Sequence, residues 1–358
     1  GLTCVAAPIF NDEGKPIEGA EEKTVVTTEP LTSMKAIWLR PKSEVTEEEY
    51  SQFYKHISHD WSDPLQRIQA KIEGTLEYRL LLYVPGQPPM DLFFRDGKHG
   101  VHLYVKRVFI MDDCRELLPD YLRFIRGVVD SEDLSLNISR EMLQQNRQIQ
   151  RMRKGIVNKV LAELKELRDK DAEKFDRFST AFGRVLKEGL FEDPENREAL
   201  FELVRFKTTH DPDREGTLQE YIERMPSEQS AIYYLTGASR ERIEASPHLE
   251  AFRAKNYEVL LLDDPVDEIW TQGVFEYKGK TLQSAAKGAL ELGTEEERKQ
   301  TEEARKEATA LRQPLLECLR RKLDAHVKEV RLSDRLTESA ACLVGDSEDL
   351  TPQMAQLL

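Results

Sequence analysis

An arginine at the start of a predicted helix is the residue of this sequence best suited to chemistry. Arg140 follows Ser139, a candidate N-cap, in the segment LNISREMLQQNRQ at 136–148. A positive charge in the first helical turn opposes the helix dipole and costs roughly a few tenths of a kcal/mol unless an anion lies nearby. Asn137 and Gln144 flank it, and Gln144 lies one turn further along the same helix face. The three side chains could hold a phosphate oxygen or a water molecule, as an arginine finger does in phosphoryl transfer.

The same residues also allow a structural role for Arg140. Its guanidinium could pair with Glu141, Asp130 or Asp133 and hold the loop in place, and spacing alone favours this ion pair over a catalytic arginine. The following stretch, 142–162, raises the local positive potential, although a solvated helix face explains it as well. That stretch contains no acidic residue and five basic ones, which are Arg147, Arg151, Arg153, Lys154 and Lys159.

Three apolar side chains could bind another protein. Trp61 follows a polar stretch and Trp270 lies among acidic residues in DEIWTQGVFEY, so both fit partly exposed aromatic anchors. Packing in the core is the more common role of a tryptophan and stays open for both. Met354 lies on an apolar stripe that so short a tail cannot bury within itself, and that needs either the rest of the fold or a partner as its cover. The stripe also contains Leu350, Leu357 and Leu358.

No other catalytic or metal site is indicated. The histidines form two close pairs without a serine or cysteine in a nucleophile elbow, which indicates structural or surface roles. The four cysteines are far apart and lack zinc spacing. No glycine-rich phosphate loop follows a predicted strand, so a self-contained phosphotransferase lacks its usual nucleotide pocket. These residues are His56, His59, His99 and His102, and Cys4, Cys114, Cys318 and Cys342.

Charge and hydropathy exclude two classes of partner. The chain has 66 acidic side chains against 52 lysines and arginines, a formal net charge of −14, so its overall field repels nucleic-acid phosphates. No segment approaches the about 20 apolar residues that cross a bilayer, and the N-terminal residues lack a signal-peptide pattern. We therefore expect a cytoplasmic protein without a nucleic-acid or membrane partner.

The elements that would position the candidate residues alternate between helix and strand. The acidic first turn of TEEEYSQFYKHIS predicts a helix from Thr46. The segments 75–84 and 101–110 predict strands, and 117–129 predicts a short helix. A long amphipathic helix should then pack its apolar stripe on the sheet. The stripe consists of Ile149, Met152, Ile156, Val160, Leu164 and Leu167.

The second half predicts a smaller unit. Residues 171–225 are expected to be mostly helical. A strand at 232–237, a helix at 239–254 and a strand at 257–264 form a βαβ unit, whose apolar runs imply parallel, buried strands. The predicted class is therefore α/β (α+β), with a larger α/β subdomain, a helical bridge and a smaller βαβ subdomain.

Both ends of the chain predict incomplete domains. CVAAPIF forms one predicted strand without a partner, and 11–33 is typical of a flexible linker, so we expect the chain to begin with the tail of another domain. Near the other end, 293–313 predicts an exposed, charged helix at a domain boundary. A hairpin at 327–332 and 341–344 should follow, before the chain ends at Leu358.

Five segments together resemble the ninety-kilodalton heat-shock chaperone family in its bacterial form. They are SEVTEEEYSQFYKHISHDWSDPL, LYVKRVFIMDD, FIRGVVDSEDLSLNISREMLQQN, IYYLTG and EVLLLDDPVDE. The resemblance runs from Ala36 to Leu358 in the family's order and implies its domain plan. Residues 1–10 would be the last strand of the ATP-binding domain and 11–33 a linker. The middle domain would comprise 34–170, a helical bridge at 171–225 and a small α/β subdomain at 226–292, and 293–358 would begin the C-terminal dimerisation domain.

The resemblance also implies roles for individual residues. Arg140 would reach the γ-phosphate of ATP, which is held with Mg²⁺ by the absent N-terminal domain, while Asn137 and Gln144 support it. Trp61 and Phe109 would contact clients or helper proteins. These implied roles oppose the structural alternative for Arg140.

The resemblance implies client-binding roles less strongly at two further positions, Met354 and Trp270. Met354 would lie on a client-binding helix. Trp270 is shifted by one position from the family's aromatic, where this chain has Ile269.

Two hypotheses follow for the whole chain. In the first, it is part of an ATP-dependent chaperone that binds unfolded client proteins, completes the ATPase site of its own N-terminal domain, and forms a homodimer through helices missing here. By itself it would hold no ATP and hydrolyse hardly any. In the second, it is a protein-binding module that works without nucleotide.

Overall fold

The computed structural model describes residues 4–6, 24–26, 35–94, 99–135, 147–211, 213–288 and 292–346. Two five-stranded sheets and the helices that cover them make up most of these residues, which confirms the predicted α/β class. None of the helices in these ranges is long and apolar enough to cross a membrane.

The first strand has a partner within the chain. Strand β1 (Cys4–Ala6) pairs antiparallel with β2 (Thr24–Val26), inside the segment predicted as a linker. The prediction of an unpaired strand is therefore wrong, because the β-branched residues at 24–26 suit a pleated strand.

Helix α1 (Glu47–Ser58) begins where the sequence predicts. The Thr46 hydroxyl accepts a hydrogen bond from the Glu49 backbone N–H at 3.2 Å, and the Glu49 carboxylate accepts one from the Thr46 N–H at 2.9 Å. This capping box satisfies two N–H groups that have no partner within the helix. Two short 3₁₀ turns, Ile37–Leu39 and Lys42–Glu44, precede it and bury Trp38.

The first sheet has the strand order β3–β4–β7–β5–β6. Strand β7 pairs antiparallel with β4 and parallel with β5, while β3 and β6 form the edges. The strands are β3 (Gln66–Ile72), β4 (Tyr78–Val84), β5 (Val101–Val105), β6 (Val108–Met111) and β7 (Arg126–Ser131).

Two predictions in this sheet are wrong. The single strand predicted at 101–110 is a hairpin, since Lys106 and Arg107 have φ values of 50° and 69° and turn the chain between β5 and β6. The helix predicted at 117–129 consists of two 3₁₀ turns followed by β7. Gly127 places its backbone so close to β4 that a Cβ atom there would lie 2.3 Å from the Leu81 carbonyl oxygen, an approach that only glycine permits.

A layer of helices covers this sheet and leads to the second one. Helix α2 (Arg147–Lys170) buries every member of its predicted apolar stripe. The bridge is mostly helical, as predicted, with α3 (Ala172–Leu186), α4 (Gly189–Glu192), α5 (Arg197–Phe201) and α6 (Leu218–Arg224). Its phenylalanines join the core of the first sheet to that of the second.

The second sheet has the order β11–β12–β9–β10–β8. Strands β9 and β10 are parallel and buried, as predicted. The single helix predicted at 239–254 is two helices, because Ser246 and Pro247 start a new turn between them. The elements are β8 (Lys207–Thr208), β9 (Ala231–Thr236), α7 (Arg240–Glu244), α8 (Glu250–Ala254), β10 (Val259–Leu262), α9 (Pro265–Gly273), β11 (Glu276–Tyr277) and β12 (Lys280–Ser284).

Beyond the second sheet, helix α10 (Glu295–Leu323) is largely exposed, as its charge pattern predicts. The hairpin predicted at 327–332 and 341–344 is wrong, since neither segment forms a strand in the described range 324–346. Side chains hold this segment instead. Buried Arg335 donates hydrogen bonds to the carbonyl oxygens of Ala285, Lys287 and Gly288, and the Glu250 carboxylate accepts backbone N–H groups from 337–339.

Candidate functional site

The predicted catalytic residues Arg140, Asn137 and Gln144 lie in 136–146, outside the described residues, so their roles stay predictions. Both ends of this segment are anchored in the core. Leu134 is buried just before it, and Ile149 is buried just after it on α2. The segment therefore connects the end of the central strand β7 to the helix packed on that sheet.

Two of the three carboxylates considered as ion-pair partners of Arg140, Asp130 and Asp133, accept other hydrogen bonds, and the third, Glu141, lies outside the described residues. Asp130, at the end of β7, is buried and accepts from Trp38 Nε1 at 2.9 Å through Oδ2 and from the Arg107 backbone N–H at 3.1 Å through Oδ1. The Asp133 carboxylate accepts from the Glu77 backbone N–H. Because Arg140 lies outside the described residues, the structural alternative in which a carboxylate neutralises it also stays a prediction.

Trp61 lies fully on the surface, with 86% of its side chain exposed. The loop that carries it is fixed by other residues. His59 ends α1 in a left-handed conformation, and the Asp60 carboxylate accepts hydrogen bonds from the Tyr54 hydroxyl and from the Ser62 backbone N–H. Because this loop needs no burial of Trp61, the indole remains available to another molecule.

Phe109 is exposed on the edge strand β6, with 51% of its side chain accessible. Its ring contacts His102 edge-on at a centroid distance of 6.1 Å and Tyr104 at 5.5 Å. Next to His102 is a groove of about 420 Å³, which His59 and Met90 also line. We call the exposed residues Trp61, Met90 and Phe109, together with this groove, the aromatic surface.

Met90 also belongs to this surface, and it is not among the binding residues predicted from the sequence. Its side chain is almost entirely exposed in the proline-rich segment PGQPPMD. Three prolines within five residues were the available signal, because they favour an extended surface loop. An exposed methionine beside aromatic rings adapts readily to different partners.

The histidines take the structural and surface roles that the sequence predicts. His99 is buried, its Nε2 lies 3.1 Å from Asp120 Oδ1, and its Nδ1 has no hydrogen-bond partner among the residues that the structure describes. His102 lines the groove, and burial together with the nearby His59 and His56 lowers its pKa, which Asp112 opposes. No cluster of histidine, cysteine and carboxylate side chains in the described ranges could hold a metal ion.

His99 should make folding stability depend on pH. Burial lowers its pKa below the usual 6.5, although Asp120 and Asp113 oppose this shift, so the unfolded chain binds the proton more readily than the folded one. Stability therefore falls as the pH decreases below 6.5, by up to about 1.4 kcal/mol per pH unit for one such group. We expect His99→Gln to flatten this dependence in urea unfolding between about pH 7.5 and 5.5. The exposed His210→Gln is the control, and an equal slope in all three proteins would contradict the assignment.

Trp270 is buried, so the core-packing alternative is confirmed for it and the prediction of a partly exposed, client-binding anchor is wrong. Its ring contacts Phe201 and Phe206 at 5.9 and 5.7 Å, and its Nε1 donates to Asp267 Oδ1 at 2.7 Å. A side chain without exposed area cannot contact a client, so Trp270 is a core residue. The neighbouring Ile269 is 41% exposed, and it occupies the position at which the family resemblance placed an aromatic. Met354 lies outside the described residues.

A buried ion cluster lies beside Trp270 and was not predicted. Lys187, at the end of α3, donates to Asp264 at 2.9 Å and to Asp267 at 3.2 Å. Burial alone would lower the pKa of Lys187, but the two carboxylates more than offset it and raise the pKa. The lysine is therefore charged, and it ties the helical bridge to the N-terminus of α9.

Comparisons with known proteins agree with the fold. A family model described as "Hsp90 protein" matches residues 10–358. "Chaperone protein HtpG" of Frankia casuarinae is 56% identical over 347 residues, covering 97% of this chain and 53% of the relative, and that of Nocardia farcinica is 54% identical over 341 residues, covering 95% and 52%. The chain thus spans about half the length of these relatives. The middle domain of a Plasmodium falciparum protein described as a heat shock protein superposes with a TM-score of 0.64 at 34% identity, over 70% of this chain and 100% of that domain.

Proposed function

This chain belongs to the Hsp90 family, as its resemblance to the bacterial ninety-kilodalton chaperones predicted, and from that premise we propose that it is the middle segment of an ATP-dependent chaperone. It would bind unfolded clients and supply an arginine to the ATPase site of its own N-terminal domain. The observation that carries this proposal is the aromatic surface, whose Phe109 lies on the edge strand of the same sheet as β7, the strand that leads to 136–146.

The aromatic surface has the properties of a site for unfolded protein. Trp61, Met90 and Phe109 expose large apolar side chains that their own fold does not need to cover. Unfolded clients expose apolar side chains without a common sequence, so a suitable site offers adaptable rings and thioethers rather than a specific hydrogen-bond pattern. Exposed aromatic anchors of this kind often dominate binding energy.

Arg140 would act by electrostatics once the domains close. ATP and Mg²⁺ would be held by the N-terminal domain of the parent protein, and Arg140 would stabilise negative charge on the transferring phosphoryl group. The exposed side chains of Arg147 and Arg151 follow on α2 and add positive potential. Asn137 and Gln144 would orient the guanidinium, and closure would set when hydrolysis occurs.

The remaining assignments follow the same proposal. We retain the domain boundaries predicted from the sequence, with 11–33 as a linker and 293–358 as the start of a dimerisation domain. The parent protein would be a cytoplasmic homodimer, and Met354 would contribute to client binding.

Trp61→Ala in the full-length chaperone tests the client surface. We expect its affinity for an unfolded protein, such as reduced carboxymethylated lactalbumin, to fall by about tenfold. Its unfolding free energy should change by less than about 0.5 kcal/mol, because the replaced ring packs little. Fluorescence anisotropy measures the first quantity and urea denaturation the second.

Phe275→Ala is the matched control for this experiment. Phe275 is also an exposed aromatic, at 70%, but it lies near the second sheet, away from the aromatic surface. We expect it to bind the client as the wild type does. Equal losses in both variants would indicate general stickiness rather than a defined site.

A further inference from the structure

A continuous series of contacts joins Phe109 to the strand that precedes the Arg140 segment. The Phe109 ring lies 5.5 Å from the Tyr104 ring, and Tyr104 lies 4.9 Å from Trp38. Trp38 Nε1 in turn donates a 2.9 Å hydrogen bond to Asp130 on β7. Because every step is a direct contact, a change at the exposed ring reaches Asp130 without crossing a gap.

Asp130 also contacts the β5–β6 hairpin, which carries Phe109, through a second hydrogen bond. Its other carboxylate oxygen accepts the backbone N–H of Arg107, which lies in the tight turn immediately before Val108 and Phe109. Asp130 is buried, so its hydrogen bond from Trp38 is shielded from water and costly to lose, while the one from Arg107 is partly buried. A displaced β6 hairpin would therefore disturb both oxygens of one carboxylate.

Asp130 lies shortly before the Arg140 segment in the chain, so these contacts can affect that segment. Asp130 lies at the end of β7, and the buried anchor Leu134 follows before 136–146, which contains Arg140. Trp38 lies just beyond the segment 11–33 that is predicted to connect to the N-terminal domain. The Trp38–Asp130 hydrogen bond thus joins the linker exit to the strand leading to the proposed catalytic arginine, and the client-facing hairpin contacts both of its ends through Tyr104 and Arg107.

We propose that the Trp38–Asp130 hydrogen bond positions the Arg140 segment and transmits client occupancy at Phe109 to ATP hydrolysis. This inference rests on the proposed function. Asp130 and Trp38 are positioning residues, since they act through Arg140 rather than on the nucleotide. Coupling between distant sites requires an element with two arrangements, and in this proposal they are the observed bonded state and a state in which the bond is broken.

Trp38→Phe in the full-length chaperone tests the proposal, because it keeps an aromatic ring and removes only the Nε1 donor. We expect kcat for ATP hydrolysis to fall about fivefold and the response of kcat to reduced carboxymethylated lactalbumin to disappear. The KM for ATP and the Kd for the client should each stay within about twofold, since neither binding site is touched. Asp130→Asn, which alters the other end of the bond, should show the same pattern.

Tyr83→Phe is the matched control. It removes a different buried hydrogen bond of the same core cluster, from the Tyr83 hydroxyl to the Tyr50 carbonyl oxygen at 3.1 Å, on the neighbouring strand. Its kcat and client response should remain those of the wild type. A loss equal to that of Trp38→Phe would mean that both variants act through general destabilisation, and would overturn the inference.

Combination with Phe109→Ser separates the possible failures. If Arg140→Ala keeps full hydrolysis or Phe109→Ser keeps full client affinity, the proposed function itself is wrong. If both behave as expected, the inference requires that Phe109→Ser and Trp38→Phe be non-additive in the client response. Additive effects, a wild-type rate that the client does not change, or an intact client response in Trp38→Phe would each overturn it.

Discussion

Arg140→Ala in the full-length chaperone is expected to lower kcat for ATP hydrolysis by about 10³-fold or more, the range found for arginine fingers. The guanidinium would stabilise charge that develops only in the transition state, so kcat should fall while the KM for ATP changes little. The unfolding free energy should stay nearly constant, because the described donors to the Asp130 and Asp133 carboxylates, which are Trp38 and the backbone N–H groups of Arg107 and Glu77, remain in place in this variant.

Arg147→Ala is the matched control for that result. It removes an equal charge from the exposed start of α2. The change in kcat therefore measures the contribution of the local positive potential alone. We expect less than about a threefold change in kcat, because salt screens the charge of an exposed side chain. Equal effects of the two variants would remove Arg140 from the mechanism. A full-length protein with no ATPase activity would favour the nucleotide-independent binding module.

Local signals in the sequence were sufficient for the elements that frame this site. The capping box of Thr46 and Glu49 is encoded within four residues, and the stripe from Ile149 to Leu167 repeats at helical spacing whatever it packs against. Strands β9 and β10 were recognisable because parallel strands covered on both faces are apolar throughout.

The wrong predictions depend on contacts that are distant in sequence. The segment 117–129 has a helical pattern, yet pairing of β7 with β4 and β5 and the close approach of Gly127 to Leu81 select a strand. At 327–346 an alternating pattern predicts a hairpin, but the side chains of Arg335 and Glu250 hold the backbone against the second sheet instead.

The exposure of a candidate site residue could be predicted only where its contacts come from residues close to it in the sequence. Trp61 is exposed because Asp60 and Ser62 close the loop around it without using the ring. For Trp270 the surrounding acids suggested a surface position, but Asp267 is itself buried and its partner Lys187 lies 80 residues away in the chain. The residues near Asp267 in the sequence therefore gave no sign that its buried carboxylate is neutralised by so distant a lysine.

Replacing Lys187, the buried partner of Asp267, should have the largest effect on folding stability. Lys187→Met leaves the Asp267 carboxylate buried without its cation, and we expect a loss of about 3–5 kcal/mol in the unfolding free energy measured with urea. Lys154→Met is the matched control, because Lys154 pairs with Glu195 at 2.6 Å while both side chains are exposed. That replacement should cost less than about 1 kcal/mol.

The double variant Lys187→Met with Asp267→Asn distinguishes a lost attraction from an unpaired buried charge. Asparagine keeps an oxygen that can accept from Trp270 Nε1, which now donates to Asp267 at 2.7 Å, and it carries no charge to desolvate. We therefore expect the double variant to recover about 2 kcal/mol relative to Lys187→Met alone. If it is no more stable than the single variant, the lysine acts through its packing against Phe206, which its ammonium approaches at 5.1 Å, rather than by neutralising the carboxylate.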